Sequence, residues 1–386
     1  MQIFAIEYDN ANHVFFPGQT VTGKVNLHLS NEKKIKGLYL TLFGGALTDW
    51  NEGDADPRTD GRRRSRADSN ILENRTRASS MLYHRRYRSE QVFIKEKILL
   101  IGNGDHEELT VLPPGQHSYP FSFQLPVTAL PSFEGWHGHI RYYCKAHIDR
   151  PTPHFDKHSK EMFTVAGNYD LRKIPNADVG INVEDVETIS SSGLCCGSGS
   201  GNISSNTEVR KRAYVPGEVI QLKITIKNKS SRIVKSEKVQ MTQNIFYYGT
   251  QDGLAYEKQQ SINETRIIWE KKEPVSIDPN SESTFTENIT IPAVAPTSNN
   301  CDIIKIHYSI QCKAAESGIH HSFKTSSLPV IIGTIPLTSG SKETAVFENC
   351  VFGKVNVREH DDNEHSHGNF MFSPKYAVYH EQQINQ

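Results

Sequence analysis

One turn pattern occurs twice in this chain and constrains its fold more than any other feature. Residues 15–19 read FFPGQ and residues 214–218 read YVPGE, so each turn has an aromatic residue before Pro-Gly and a Gln or Glu after it. Alternating apolar and polar residues follow each turn, at residues 21–29 and 219–227. Successive side chains of a β-strand point to opposite faces, so this alternation predicts half-buried strands. The repeat raises the question of whether one domain is present in two copies.

Two further matches follow the first in the same order. Residues 114–126 (PGQHSYPFSFQLP) resemble residues 279–292 (PNSESTFTENITIP), each with a turn, a strand and a closing proline. Residues 142–146 (YYCKA) resemble residues 310–314 (IQCKA). Three ordered matches favour two copies of one sandwich. The alternative is two unrelated all-β domains that share common turn residues, because Pro-Gly turns are frequent.

The predicted architecture is all-β, with two β-sandwiches in tandem. The chain has 386 residues, enough for two domains, and shows no long amphipathic helical pattern. We predict a first domain at residues 1–170, a second at residues 176–335 and a largely irregular tail at residues 336–386. Cys144 and Cys312 lie in matched segments, and we expect both to be buried on equivalent strands.

The first copy contains an arginine-rich insertion, which we place in a loop at residues 54–88. Between residues 58 and 88 there are ten arginines, three acidic residues and no lysine. Guanidinium groups form bidentate bonds with phosphate, so one interpretation is an anion-binding loop for phosphorylated protein tails or phosphoinositide headgroups. The other interpretation is a solvated, mobile loop. The candidate binding residues are Arg58, Arg62, Arg63, Arg64, Arg66, Arg85, Arg86 and Arg88.

Composition and motifs argue against several function classes. The net charge of -1 gives no general attraction to nucleic acid, so we expect no nucleic-acid partner. No P-loop, nucleophile elbow, HExxH or dinucleotide fingerprint is present, so neither an enzyme nor a cofactor is expected. The six cysteines show no CxxC spacing, and no metal site is expected. The start of the chain lacks a signal-peptide pattern, which predicts a cytoplasmic protein.

Several motifs together resemble the α-arrestins, the arrestin-domain-containing proteins. They are YPFSFQLP at residues 119–126, PSFEG at 131–135, IDRP at 148–151, YVPGE at 214–218 and LPVIIGTIPL at 328–337. Single turns are weakly specific, whereas the ordered set is highly specific. The resemblance covers residues 1–337 and implies two arrestin-like, immunoglobulin-like β-sandwiches. The repeat predicts the same architecture independently.

The resemblance also implies a function. The α-arrestins are cytosolic, non-enzymatic adaptors that bind membrane-protein cargo, such as receptors or transporters, at the plasma membrane or endosomes. They take part in endocytosis and signal transduction, and they recruit HECT-type ubiquitin ligases through PPxY motifs that bind WW domains. We expect an adaptor of this kind. The alternative is a constitutive arrestin-like scaffold subunit of a sorting or coat complex, which a stable obligate partner would favour.

The chain departs from the family pattern because it has no PPxY motif. The nearest string is SPKY at residues 373–376, in which Pro374 and Tyr376 form a candidate degenerate WW-domain ligand. Two short apolar stretches, at residues 352–357 and 370–379, leave three alternatives for the tail. It docks on this protein, binds a partner, or stays disordered.

Overall fold

A computed structural model describes most of the chain. The described residues are 2–52, 85–103, 109–151, 156–189, 201–251, 259–316, 322–338, 343–358 and 366–381. Most of the arginine-rich insertion therefore lies outside the described residues, including Arg58, Arg62, Arg63, Arg64 and Arg66.

The first half of the chain consists of strands. They are β1 (Ile3–Tyr8), β2 (Val14–Phe15), β3 (Thr20–Leu29), β4 (Lys33–Ile35), β5 (Gly37–Asn51), β6 (Arg86–Gly102), β7 (Thr110–Leu112), β8 (Gly115–Gln124), β9 (Phe133–Glu134), β10 (Gly138–Asp149) and β11 (Lys157–Val165).

A short 3₁₀ helix, Leu171–Lys173, precedes the strands of the second half. These are β12 (Ile181–Ile189), β13 (Gly201–Val209), β14 (Ala213–Tyr214), β15 (Val219–Lys229), β16 (Val234–Gln251), β17 (Gln259–Ile277), β18 (Ser281–Thr290), β19 (Ile304–Glu316), β20 (Ser322–Lys324) and β21 (Leu328–Ile332).

The two halves share one topology, with an additional edge strand, β12, in the second. In the first, a sheet of order β1-β3-β8 packs on strands β6-β5-β10-β11-β2, and in the second, β12-β13-β15-β18 packs on β17-β16-β19-β21-β14. The prediction of two β-sandwiches in tandem is confirmed. Cys144 on β10 pairs with Leu42 on β5, and Cys312 on β19 pairs with Val239 on β16. Both thiols are buried on equivalent strands, as the repeat predicts.

The geometry of the first Pro-Gly turn shows why the turn contains Gly18 and Gln19. Gly18 has φ of +79°, a backbone conformation that glycine adopts without strain. The backbone N–H of Gln19 donates to the Phe16 oxygen at 3.0 Å, which closes the turn. The side-chain oxygen of Gln19 then accepts a hydrogen bond from the Phe16 N–H at 2.9 Å.

The second Pro-Gly turn repeats each of these contacts. Gly217 has φ of +95°, and the Glu218 N–H donates to the Val215 oxygen at 3.2 Å. The Glu218 carboxylate accepts from the Val215 N–H at 2.9 Å. The Gln or Glu after Pro-Gly is therefore a cap for the residue before proline, and the two turns are one structural device.

The two sandwiches share a continuous sheet. Strand β6 of the first half pairs with β16 of the second, with Arg88 opposite Thr250 and Tyr87 opposite Gln251. The Thr48 hydroxyl also donates to the Tyr248 backbone oxygen at 2.8 Å. Backbone pairing therefore joins the halves at the ends of β6 and β16.

The tail is ordered where it is described, so the prediction of a largely irregular tail is wrong for those residues. It forms β22 (Glu343–Asn349), β23 (Val355–Asn356), β24 (Ser366–Gly368), β25 (Met371–Phe372) and β26 (Lys375–Glu381). Strand β22 pairs with β26, β23 pairs with β25, and β24 pairs with β11 of the first sandwich. The tail acquires this structure because each strand finds a partner, which a lone strand lacks.

Candidate functional site

An open groove of about 660 Å³ lies on the first sandwich. It lies on the face of β5, β6 and β10 that points away from the core, and we call it the outer groove. Its lining residues are Thr41, Phe43, Gly45, Ala46, Leu47, Asp49, Arg86, Arg88, Glu90, Lys95, His139, Tyr143 and Lys145.

Strand register brings the aromatic and cationic side chains of the outer groove together. Phe43 on β5 lies opposite Tyr143 on β10, and their rings stack with centroids 5.1 Å apart. On the other side of β5, Lys95 lies opposite Phe43. Lys145 lies opposite Thr41, one row further along the sheet. The floor of the groove is therefore aromatic, with lysines beside the stacked rings.

The described arginines of the insertion lie at one end of the outer groove. Arg86 and Arg88 belong to strand β6 rather than to a loop, so the predicted loop boundary at residue 88 is wrong. The reason is Tyr87, which is buried between them and extends the alternation of the strand. Arg86 and Arg88 both line the groove, and Arg86 also forms an ion pair with Asp49. Arg85 is 3.6 Å from Glu52, outside the groove lining.

A second polar site lies at the joint between the sandwiches and is buried. Arg141 donates to both oxygens of Glu134, at 2.6 and 2.8 Å. Arg266 on β17 donates to the backbone oxygen of Glu134 at 3.0 Å. Burial raises the pKa of the Glu134 carboxyl, and the neighbouring Arg141 and Arg266 oppose that rise.

The carboxylate of Glu264 connects this joint to the second sandwich. Its side chain is fully buried and accepts hydrogen bonds from Arg266, from the Tyr247 hydroxyl and from the Trp136 backbone N–H. Three donors around one buried carboxylate satisfy a charge that would otherwise be costly to bury. Burial, and then the charge of Glu264, raise the pKa of Tyr247, so this hydroxyl stays protonated and keeps donating.

The comparisons with known proteins agree with this architecture. The family model for the "Arrestin (or S-antigen), N-terminal domain" matches residues 4–172, and the model for the "Arrestin (or S-antigen), C-terminal domain" matches residues 199–337. The chain belongs to the arrestin family.

Similar proteins are arrestin-domain-containing proteins of animals. "Arrestin domain-containing protein 17" of Caenorhabditis elegans is 29% identical over 337 residues, which are 87% of this arrestin and 71% of that protein. "Arrestin domain-containing protein 4" of Mus musculus is 26% identical over 341 residues, 88% of this arrestin and 73% of that protein. These relatives confirm the resemblance to the α-arrestins, and they support an adaptor role in general.

The tail of this arrestin docks across the domain joint. Tyr376 is 5% exposed, and its hydroxyl donates to the Ser132 oxygen of the first sandwich at 3.0 Å. Tyr379 bonds the second sandwich, from its hydroxyl to the Thr334 oxygen at 2.7 Å and from its N–H to the Pro216 oxygen at 2.9 Å. Of the three alternatives for the tail, the structure shows docking on this protein.

This docking changes the interpretation of the SPKY string. Pro374 is buried, and its oxygen accepts a hydrogen bond from Cys350 N–H at 2.8 Å. A WW domain binds an exposed polyproline-type segment, so Pro374 and Tyr376 are not available as a WW ligand in this conformation. The physical reason is that the tyrosine ring fills the joint instead of facing solvent.

Sequence reasoning missed the buried pair at the joint and the outer groove. Glu264 and Arg266 stand in a polar stretch of β17 that reads like an exposed strand. They are buried where β17 meets the first sandwich, since Glu264 accepts a hydrogen bond from the Trp136 N–H and Arg266 donates one to the Glu134 oxygen. Among the described residues, no group of three potential ligands is placed to hold a metal ion. No helix in the described part of the chain is long and apolar enough to cross a bilayer.

Proposed function

We propose that this arrestin is a non-enzymatic trafficking adaptor whose outer groove binds an acidic or phosphorylated cytosolic segment of a membrane-protein cargo. The observation that carries the proposal is the groove itself, about 660 Å³ of open space lined by stacked rings and cationic side chains. We also propose residues 1–170 and 176–335 as the two domains of the adaptor.

The chemistry of the outer groove suits an anionic peptide. Arg88, Lys95 and Lys145 carry charges at the lining, and Glu90 is the acidic residue that opposes them, since Asp49 is already paired with Arg86. Lysine and arginine form charge-assisted hydrogen bonds with carboxylate and phosphate oxygens. The rings of Phe43 and Tyr143 offer apolar contact area to the side chains between such anions.

The arginine-rich insertion enters the sheet at the end of the outer groove, between β5 and β6. We propose that its arginines extend the cationic surface toward the cargo. Cargo binding then recruits a cytoplasmic adaptor to the plasma membrane or endosomes and links the cargo to endocytic sorting. Anionic lipid headgroups are the competing ligand for the same charges, and the experiment separates the two.

The test compares two double variants that each lose two positive charges. Lys95→Gln/Lys145→Gln removes charge from the outer groove, and Lys223→Gln/Lys227→Gln removes it from strand β15 of the second sandwich. Binding of a fluorescent phosphoserine-rich peptide is measured by anisotropy in low and physiological salt. We expect the groove variant to lose roughly tenfold in affinity, about 1.4 kcal/mol, and the β15 variant to stay within twofold.

Equal loss in both variants would show a non-specific charge effect and would contradict the proposal. The same proteins are mixed with vesicles containing phosphatidylserine. If the groove variant loses vesicle binding while peptide binding is absent in the parent, the ligand is a lipid surface and the cargo proposal is wrong. Surface charge effects weaken as salt rises, so both titrations are run at two ionic strengths.

Ligase recruitment through residues 373–376 is not included in this proposal, because the docked tail buries Tyr376. The scaffold alternative is favoured by one observation, the pairing of β6 with β16 that fixes the two sandwiches together. A constitutive scaffold subunit would co-purify from cells in fixed stoichiometry in high salt. Recovery only in the presence of a cargo peptide supports the adaptor.

A further inference from the structure

A polar cavity of about 280 Å³ lies between the tail and the edge of the first sandwich. One wall includes Glu161 on β11 and His13, which lies just before β2. The tail contributes Lys354, Ser373 and Lys375. The outer groove is on a different part of the molecule, and the adaptor function makes no use of this cavity.

Ser373 is the unusual residue of the cavity. The residue is 7% exposed, and its Oγ is buried without a hydrogen-bond partner in the described structure. A buried hydroxyl without a partner costs free energy, so its position calls for an explanation. The next residue is Pro374, and this is the one Ser-Pro pair in the chain.

A Ser-Pro pair is the sequence that proline-directed kinases require. These enzymes select a proline directly after the residue that they phosphorylate. Proline has no backbone N–H to be satisfied, and its ring favours an extended conformation of the residue before it. The chain contains one other candidate, Thr152-Pro153, which lies outside the described residues. Two independent observations therefore indicate Ser373. In the sequence it is followed by Pro374, and among the described residues of the structure its hydroxyl has no hydrogen-bond partner.

The cavity beside Ser373 has the charge and space for a phosphoryl group. Lys354 and Lys375 carry positive charge, and Glu161 is the one carboxylate among the lining residues. Burial and the charge of Lys375 lower the pKa of His13, which disfavours a positive charge on this imidazole. The Lys375 ammonium donates to the Asn12 oxygen at 2.8 Å and retains two further donors.

We propose that Ser373 is the phosphoacceptor of a proline-directed protein kinase, and that the phosphoryl group fills this cavity and locks the tail onto the first sandwich. In the transfer, the serine oxygen forms a bond with the γ-phosphorus of ATP, the bond to the β,γ-bridging oxygen breaks, and ADP leaves. The hydroxyl proton passes to the catalytic base of the kinase.

The kinase reaches Ser373 when the tail opens locally, and the lock forms when the tail returns. The docked tail hides the hydroxyl, so modification follows a transient opening of β25 and β26. On redocking, the phosphate oxygens accept charge-assisted hydrogen bonds from Lys354 and Lys375. An unsatisfied hydroxyl is replaced by a paired dianion, which favours the docked state.

The first experiment maps the modification in the full chain. The purified protein is incubated with a proline-directed kinase and ATP, and the phosphorylated residues are located by mass spectrometry. We expect phosphate at Ser373 in the parent and in Thr152→Ala, and none at this position in Ser373→Ala. Tyr376→Ala, which loosens the tail, is expected to be phosphorylated at Ser373 at least fivefold faster. Absence of phosphate at Ser373 in both the parent and Tyr376→Ala overturns the proposal.

The second experiment measures the lock. Phosphoserine is incorporated at position 373 during synthesis, and hydrogen exchange at residues 375–381 is compared with that of the unmodified protein. We expect exchange about tenfold slower with phosphoserine. In Lys354→Gln/Lys375→Gln the slowing should vanish, whereas in Lys223→Gln/Lys227→Gln it should persist. Exchange that is unchanged or faster, or slowing that survives loss of both cavity lysines, refutes the lock.

Discussion

The guanidinium of Arg266, on the second sandwich, donates a hydrogen bond of 3.0 Å to the backbone oxygen of Glu134 on the first. The same side chain neutralises Glu264 and lies under the ring of Phe352, 4.7 Å from its centroid. Phe352 belongs to the tail. Arg266 therefore contacts the first sandwich, the second sandwich and the tail, and its loss should destabilise all three.

Replacing Arg266 with Met should destabilise the protein by about 3–5 kcal/mol, because the fully buried Glu264 carboxylate would lose its counter-charge. Urea unfolding followed by tryptophan fluorescence measures the loss. In Arg266→Met/Glu264→Gln both charges are absent, and we expect the double variant to recover part of the stability. A single variant that loses less than about 1 kcal/mol would show that the pair is dispensable.

Stability should fall as pH rises through neutrality because of Glu237. Burial, followed by repulsion from Glu287 and Glu273, raises the pKa of Glu237 to about 7 from its ordinary 4.5. The folded state then holds a proton that the unfolded state releases, so the stabilisation is complete below about pH 4.5 and disappears as pH rises through 7.

Urea unfolding of the parent and of Glu237→Gln across pH 5 to 8 tests this prediction. The parent should lose roughly 2–3 kcal/mol more than the variant over that range. Parallel pH profiles would show that Glu237 ionises normally in the folded protein.

The two turn glycines should differ in their tolerance of alanine. Both have positive φ, so each substitution introduces backbone strain. At Gly18 an added Cβ would meet the movable Val127 side chain at 3.1 Å, but at Gly217 it would lie 2.0 Å from the Tyr379 backbone oxygen. We expect about 1 kcal/mol of destabilisation for Gly18→Ala and at least twice that for Gly217→Ala.

Hydrogen exchange identifies the origin of that difference. Gly217→Ala should accelerate exchange at residues 375–381, since it displaces β26, and Gly18→Ala should leave that strand unchanged. Equal acceleration in both variants would mean that the tail responds to global stability and not to the local clash.

Binding of WW domains tests whether residues 373–376 act as a ligand in the docked state. The parent should show no measurable affinity in calorimetry, because Tyr376 is buried with its hydroxyl bonded to Ser132. Tyr376→Phe should keep the tail docked at a cost of about 1 kcal/mol, whereas Tyr376→Ala should open it. Micromolar affinity of the parent that is lost in Tyr376→Phe would contradict this expectation.

The sequence predicts the strands well and the sites poorly, for a physical reason. Alternation in β3 or β10 reports the environment of each side chain directly, since one face of the strand is buried. The outer groove depends instead on which residues stand opposite each other, such as Phe43 and Tyr143. Register is a property of a pair of strands, here β5 and β10, and no single stretch of sequence contains it.

The tail shows the same limit. Tyr376 and Val378 alternate with half-buried neighbours, but the run is too short to distinguish a strand from an apolar linker. Its structure comes from partners far away in the chain, Ser132 and Pro216 among them. The apolar character of residues 370–379 predicts that they pack against a protein surface. The structure shows that this surface belongs to the same chain.

The pairing of Arg88 with Thr250 gives the molecule a mechanical property. A torque on one sandwich reaches the other through peptide hydrogen bonds, which lie across the strands and resist shear together. At a domain interface made of side chains alone, the side chains could change rotamer, and less of the torque would be transmitted. The pairing of β6 with β16 therefore couples rotation of one sandwich to rotation of the other, and under the proposed cargo binding a force on the first sandwich would also turn the second.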